Sequence, residues 1–271
     1  MRVVTWNING ATKDSDVWKI ISRLNVDIAL LQEVGSIPKN ISENFEILSR
    51  FATSKSGKPQ RFSTVVMVKG KIIKDINLKS EYEWVNNELE FFNGNFIACK
   101  IELQNNKQFN LISVYSPAWP VDKSRINDVD VSDVKSAKNP DVWATDIIWS
   151  ALKNTLPDNE EWIIGGDYNS SETFDKDYQK KHGLKCLVSD GNKEIRDRMY
   201  ELGFKECLLE YNEKLIPTYL NTNKKILHQL DHLYVTKKIF SKILKCNVGN
   251  ISEIFDDRIS DHLPIITDFK D

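Results

Sequence analysis

Five short apolar segments of this chain finish in carboxylate, amide or imidazole residues: Trp6-Asn7-Ile8-Asn9-Gly10, Leu31-Gln32-Glu33, Gly165-Gly166-Asp167-Tyr168-Asn169, Gln229-Leu230-Asp231-His232 and Ser260-Asp261-His262-Leu263-Pro264. Each alone is an ordinary strand end or turn; the set is what can carry chemistry. If neighbouring strands bring these ends together, Glu33, Asp167, Asp231 and Asp261 crowd one pocket. Like charges raise one another's pKa, so ionised carboxylates at that density need a cation. One or two carboxylates and an amide suit Mg²⁺ or Mn²⁺, which keep positions for waters and a substrate phosphate, whereas zinc wants more nitrogen or sulfur. His262 adds the one group whose ordinary pKa lies near neutrality, and an Asp partner can hold it as a general base toward a water.

Such a constellation needs strands whose ends meet. Val3 to Ile8 reads as a strand stopped by Asn9-Gly10, both tolerant of positive φ. Val17, Ile20, Ile21 and Leu24 then recur at helical spacing behind the caps Asp14 and Ser15, and residues 27–32 form a second buried strand. Between Phe45 and Tyr115 the pattern predicts strands at 63–68, 90–92, 96–103 and 109–115. Trp143, Ile147, Ile148, Ala151 and Leu152 give a second helix, residues 162–165 a buried strand, and residues 194–202 a third helix. Further strands are expected near 204–209, 227–235 and 263–269. Few helices among many strands, without strict alternation, predict two packed sheets covered by helices. Residues 117–140 and 170–192 lack regular pattern and read as long binding loops.

Composition narrows the classes. Of the 271 residues 41% are apolar and 28% charged, which excludes a disordered or collagenous chain; no Pro/Gly/Ser-rich linker interrupts it, so one domain over residues 1–271 is expected. Thirty-seven Lys plus Arg against 39 Asp plus Glu give a net charge of −2. That excludes a protein holding polyanions by bulk charge and leaves only a local basic face. Cys99, Cys186, Cys207 and Cys246 are scattered without a Cys-x-x-Cys pair, so a reducing compartment is expected and a structural zinc is not. Without a signal-like apolar opening or a run of membrane-spanning length, the expected location is cytoplasmic, with no membrane partner and a monomer by default.

Asn7, Gln32-Glu33, Tyr115 within Val114-Tyr115-Ser116-Pro117, Gly166-Asp167-Tyr168-Asn169, Asp231 and Ser260-Asp261-His262-Leu263-Pro264 resemble the ordered motifs of the endonuclease/exonuclease/phosphatase superfamily over nearly the whole chain. The resemblance implies an α/β fold, a four-layered α/β sandwich of two mixed β-sheets flanked by helices, and a metal-dependent hydrolase of phosphate esters. By position it implies that Glu33 binds Mg²⁺ or Mn²⁺, with Asn7 and Asp261 in support, and that Asp167 and Asn169 stand beside the attacking water and scissile phosphate. His262 would activate or position that water or stabilise the phosphoryl oxygens, oriented by Asp231. Tyr115 would hydrogen-bond the phosphate or assist the leaving oxygen.

The opening Asn7-Ile8-Asn9-Gly10 and Tyr115 are similar to the exonuclease III and abasic-site endonuclease branch. Nucleic acid is therefore the expected substrate, and a DNA endo- or exonuclease the expected activity. Three departures keep abasic-site specificity out of the expectation: Val34-Gly35 where that branch has Thr-Lys, Gln229 where Arg is common, and Ala118-Trp119 where an Asn often follows. Asn9, Trp119 and Tyr219 are the candidate substrate-binding residues, the two rings either stacking on a base or sugar or anchoring their loops. Arg50, Lys55, Lys58, Arg61, Lys69, Lys71, Lys74 and Lys79 form one basic region, and Lys224, Lys225, Lys237, Lys238, Lys242 and Lys245 another, each a phosphate grip or a solvated face. Trp18, Trp143, Trp149 and Trp162 are assigned to packing, His182 to solvent, and His228 and His232, sharing a strand face by period two, to packing or a surface hydrogen bond. Two other readings stand beside the nuclease: a phosphatase or phosphodiesterase for a small phosphorylated molecule or lipid head group, and a binding protein without chemistry. The number of costly carboxylates argues against the last.

Overall fold

The structure, a computed structural model, describes residues 1–156, 160–183 and 190–270. The chain begins β1 (Arg2–Ala11), α1 (Val17–Leu24), β2 (Ile28–Val34), α2 (Lys39–Ser42), β3 (Glu46–Thr53), β4 (Pro59–Val68), β5 (Gly70–Asp75) and α3 (Glu83–Phe91). It continues with β6 (Phe96–Leu103), β7 (Gln108–Tyr115), α4 (Ala144–Thr155), β8 (Trp162–Asp167), α5 (Lys176–His182), α6 (Asn192–Glu201) and β9 (Phe204–Glu206). The last part holds α7 (Cys207–Asn212), β10 (Tyr219–Leu220), β11 (Ile226–His228), β12 (Asp231–Thr236), α8 (Lys237–Phe240), β13 (Ile243–Val248) and β14 (Ile265–Phe269).

Two six-stranded mixed sheets result, in the orders β13-β14-β1-β2-β4-β3 and β5-β6-β7-β8-β12-β9, with β10 and β11 as a separate hairpin. Alternation along the strands sorts side chains into layers. Val3, Ile28, Leu30, Val66 and Val68 of the first sheet meet Ile97, Leu111, Ile163, Leu233 and Val235 of the second in an inner core. Each such buried side chain contributes roughly 1.5–3 kcal/mol. The alternate residues Val4, Trp6 and Ile8 pack under Val17, Trp18 and Ile21 of α1, while Ile112, Ile164 and Tyr234 pack with Ile147, Ile148 and Leu152 of α4. Helix, sheet, sheet, helix is the four-layered sandwich expected from the sequence. Gly165 lets the sheets close: a Cβ there would meet Leu30 Cδ1 at 2.9 Å and Thr5 Cβ at 3.0 Å.

Several local readings are corrected. Residues 90–92 are not a strand but close α3, whose Trp84, Val85 and Glu88 are buried at helical spacing; the aromatic pair Phe91-Phe92 mimics strand composition, and packing overrides propensity. The strand near 204–209 stops at Glu206 and turns into α7. The run 227–235 breaks at Gln229-Leu230 into β11 and β12, so His228 and His232 sit on different strands, both buried. Within the stretch 170–192 lie α5 and the start of α6; its residues 184–189, Cys186 among them, lie outside the described residues. Sequence reading overlooked β13, which flanks β14 at the sheet edge. Among the described residues no helix is long and apolar enough to cross a membrane.

Candidate active site

Pairing directions send the candidate residues to one pole. β1 runs parallel to β2, and β7 to β8, while β14 and β12 run against them. Four strands therefore end where two begin. Asn7 lies level with Gln32, Tyr115 with Asp167, and Asp167 with Asp231. The alternation that buries Val3, Leu111, Ile163 and Leu233 in the inner core brings Asn7, Tyr115, Asp167 and Asp231 onto the same inner faces at the pole.

Glu33 breaks this rule. Ile28 and Leu30 face inward, as does Gln32, whose Nε2 donates to Ser113 Oγ at 3.1 Å; strict alternation would turn Glu33 outward. Its φ of +53° and the register shift between Leu31 and Val34 bring it back. Asn7 Nδ2 donates to Glu33 Oε1 at 3.1 Å and to Asp167 Oδ2 at 3.0 Å. Asn9 and Asn169 are also left-handed, at +48° and +47°. Such backbone costs about 1–3 kcal/mol per residue and persists only where the surroundings enforce it. The enforcing bonds are visible: Asn9 N donates to Asn7 Oδ1 at 3.0 Å, Asn169 N to Asp167 Oδ1 at 2.9 Å, and Asn169 Nδ2 to Ser116 O at 2.8 Å.

His262 Nδ1 donates to Asp231 Oδ2 at 2.8 Å, and its Nε2 lies 4.0 Å from Asp167 Oδ2. Its backbone is pinned to the chain's opening: Trp6 Nε1 donates to His262 O at 2.8 Å, His262 N to Ser260 Oγ at 3.0 Å, and Ser260 Oγ to Asn7 O at 2.8 Å. Burial pulls the imidazole pKa down, but Asp231, Asp167 and Asp261 outweigh it and hold it at about 10. Burial pushes Asp167 up to about 7, against the opposing pull of His262. Burial raises the Tyr115 phenol, with Glu33, Asp167 and Asp261 adding to it. Tyr219 is raised by burial and the same three carboxylates. Glu33, Asp167 and Asp261 thus share one mouth with both phenols.

The remaining candidates divide. Tyr219 packs its ring 4.8 Å from that of His262, and Phe62, which sequence reading did not single out, meets Tyr115 edge-on at 5.4 Å. Thr218 was also missed: its Oγ1 accepts from Leu230 N at 3.0 Å and Asp231 N at 3.2 Å, and its carbonyl accepts from Leu263 N at 2.7 Å. Asn9 is exposed at the rim. Trp119 is half-buried after β7, and among the described residues no ring contact or side-chain hydrogen bond ties it to the cluster. The basic regions are split by the strands that carry them. Lys55, Lys58 and Arg61 lie by the β3–β4 turn at the pole of the candidate site, where Ser63 pairs with Val34. Lys69 N reaches Asp27 O at the other end, and Arg50 is paired with Asp75 at 2.6 Å. Lys224 and Lys225 adjoin the hairpin beside His262, whereas Lys238 pairs with Glu161 at the far pole, 2.6 Å away.

The donor set can be tested against a metal. Asp167, Asp231 and His262 present ligand atoms within 4.8 Å of one another, with His262 Nδ1 taken by its bond to Asp231. Glu33, Asp167 and Asp261 with the Asn7 amide offer hard oxygens beside His262; that chemistry fits Mg²⁺ or Mn²⁺ and not zinc.

The sequence profile of the Endonuclease/Exonuclease/phosphatase family matches residues 4–262. This chain belongs to that family. No curated protein matches it in sequence. Solved structures sharing the family fold include an AP endonuclease from Archaeoglobus fulgidus, at 16% identity and TM-score 0.69 over 100% of both chains. The Xenopus laevis APE2 catalytic domain is 15% identical with TM-score 0.68, over 100% of this chain and 92% of that one. A 3′ phosphatase, NExo from Neisseria bound to a product DNA hairpin, is 15% identical with TM-score 0.63, over 100% and 99%. At these identities the likeness is one of fold.

Proposed function

We propose that this family member is a Mg²⁺- or Mn²⁺-dependent phosphodiesterase of nucleic acid, acting on DNA as an endo- or exonuclease through one catalytic domain. The observation that carries the reading is the His262–Asp231 pair standing 4.0 Å from Asp167, with Asn7 joining Asp167 to Glu33. Glu33 would hold the ion with Asn7 and Asp261 in support, and the bound ion would neutralise charge growing on the phosphoryl oxygens. Asp167, poised near neutrality, takes the proton of the attacking water, and Asn169 fixes that carboxylate. The surrounding carboxylates favour the protonated form of His262, which suits it to stabilising a phosphoryl oxygen rather than acting as the base. Tyr115, with its pKa raised, stays protonated and donates to the phosphate or the leaving oxygen. The DNA-bound Neisseria structure and the Lys55, Lys58, Arg61 and Lys224 side of the molecule support nucleic acid as substrate.

The deciding experiment offers labelled DNA, RNA, an inositol phosphate and sphingomyelin with Mg²⁺, with chelator and Glu33→Gln as controls. Cleavage of a polynucleotide, abolished by both controls, is expected. Turnover confined to the small phosphoesters would replace the nuclease reading, and no turnover of any substrate would end the hydrolase one.

A further inference from the structure

Gln229 and His232 bracket Leu230-Asp231, have no part in the proposed reaction, and are buried, at 0% and 8% exposed. Along β12 the side chains alternate: Asp231 turns inward to His262, whereas His232 shares the outer face of Tyr234. There His232 Nε2 meets Ser170 O at 3.1 Å, and its Nδ1 meets Gln229 Nε2 at 3.3 Å. The partners decide where the ring carries its hydrogen. Ile216 N can only donate, so Gln229 turns its oxygen there, at 3.0 Å, and its amide nitrogen to the ring. An amide nitrogen only donates and a carbonyl only accepts, so Nδ1 is bare and Nε2 holds the hydrogen. Burial, which pulls the ring's pKa down, keeps it neutral. An Arg at position 229 could serve the ring but would offer Ile216 N no acceptor.

What this imidazole holds is the turn at Asn169. That residue is left-handed, with φ +47°, and such backbone persists only where its surroundings enforce it. Its Nδ2 fastens Asp167 Oδ2 at 3.1 Å and Ser116 O at 2.8 Å. Both neighbours of Asn169 rest on His232: Tyr168 meets the ring edge-on at 5.4 Å, and the Ser170 carbonyl accepts from its Nε2. Ser170 Oγ adds a bond to Asn192 Oδ1 at 2.9 Å. Packing alone would account for the contact with Tyr168. It would not account for a donor and an acceptor on one ring, each matched to a buried partner. An apolar ring there would take the donor from Ser170 O and the acceptor from Gln229 Nε2, at a cost in stability.

We propose that His232 is a positioning residue of the adjoining site: it holds the turn at Asn169 so that Asp167 and Asn169 keep their place beside the scissile phosphate, and Gln229 sets its tautomer. The proposal rests on the nuclease reading for its effect on turnover, but its first test does without that reading. In the metal-free protein at pH 7, long-range ¹H–¹⁵N spectra should show the His232 ring neutral, with its hydrogen on Nε2. The Asn169 amide donates to Asp167 Oδ1 at 2.9 Å. Its hydrogen exchange should speed up about tenfold in His232→Phe, as loss of one supporting hydrogen bond implies. His232→Gln, which returns an N–H donor, should restore the wild-type rate. With Mg²⁺ and labelled DNA, kcat should fall about tenfold in His232→Phe at unchanged KM, and His232→Gln should recover most of the loss. A ring hydrogen on Nδ1, or Asn169 exchange equal in wild type and His232→Phe, overturns the proposal, as does a kcat loss shared equally by both variants. If wild type cleaves nothing while the exchange pattern is as expected, His232 still anchors the turn and only the nuclease reading falls.

Discussion

Asp231, Asp167 and Asp261 outweigh the burial of His262 and hold its imidazole well above the ordinary value. Replacing it with Ala should lower kcat about a thousandfold, the equivalent of roughly 4 kcal/mol of transition-state stabilisation, with a smaller change in KM. Asp231→Asn removes the strongest of the three supports, so the alkaline limb of the pH–rate profile should move toward neutrality; an unmoved limb would show that the ring's proton plays no part. Away from the site, Glu206 is fully buried and pushed up to about 7 by that burial, despite hydrogen bonds from Leu209 N and Leu233 N. Burial also pulls His232 down to about 4, so its 3.9 Å approach to Glu206 is no ion pair at neutral pH. Because the folded value of Glu206 lies above its ordinary 4.5, the fold favours the protonated acid. That contribution is whole below about 4.5 and is lost as pH rises through about 7. Glu206→Gln should escape the loss, and its stability advantage over wild type should grow across this window to roughly 3 kcal/mol; parallel curves of unfolding free energy against pH would refute the assignment.

At the scale of elements, the short β10–β11 hairpin fastens Asp231 to His262 through Thr218. Thr218→Val leaves two buried amides without their acceptor, at about 1–3 kcal/mol each. Melting temperature should fall and kcat should fall more than KM rises, with Thr218→Ser restoring both; a Tm loss with intact kcat would make the hairpin merely structural. This strap was hidden in the sequence because Tyr219-Leu220 is too short to show any period. The central strands were legible, since Val3, Ile28, Leu111 and Ile163 repeat at the strand period that buries them. Asn7, Asp167 and Asp231 could be placed from the same alternation. Glu33 could not: period two sends it to the outer face, and only a left-handed backbone imposed by its neighbours returns it. Residues 90–92 failed for the converse reason, as a helix buried the composition of a strand.

Over the whole molecule the strands separate charge as well as chemistry. Lys55, Lys58 and Arg61 are exposed at the pole of the candidate site, whereas Lys71, Lys74 and Lys245 are exposed on strands β5 and β13. Replacing the first three with Ala should reduce the slope of log affinity against log salt for single-stranded DNA by up to about 2. Replacing the second three should leave it unchanged, and equal effects would mean that charge steers substrate without regard to position. The molecule also joins its two ends: β1 pairs with β14, Met1 N donates to Phe269 O at 3.0 Å, and Ser260 grips Asn7. A chain still emerging from the ribosome would already display Asn7 and Glu33, yet lack its imidazole until residues 260–269 have emerged to pair with β1. A fragment that stopped short of Ser260 would therefore carry the acidic pole without the imidazole that faces it.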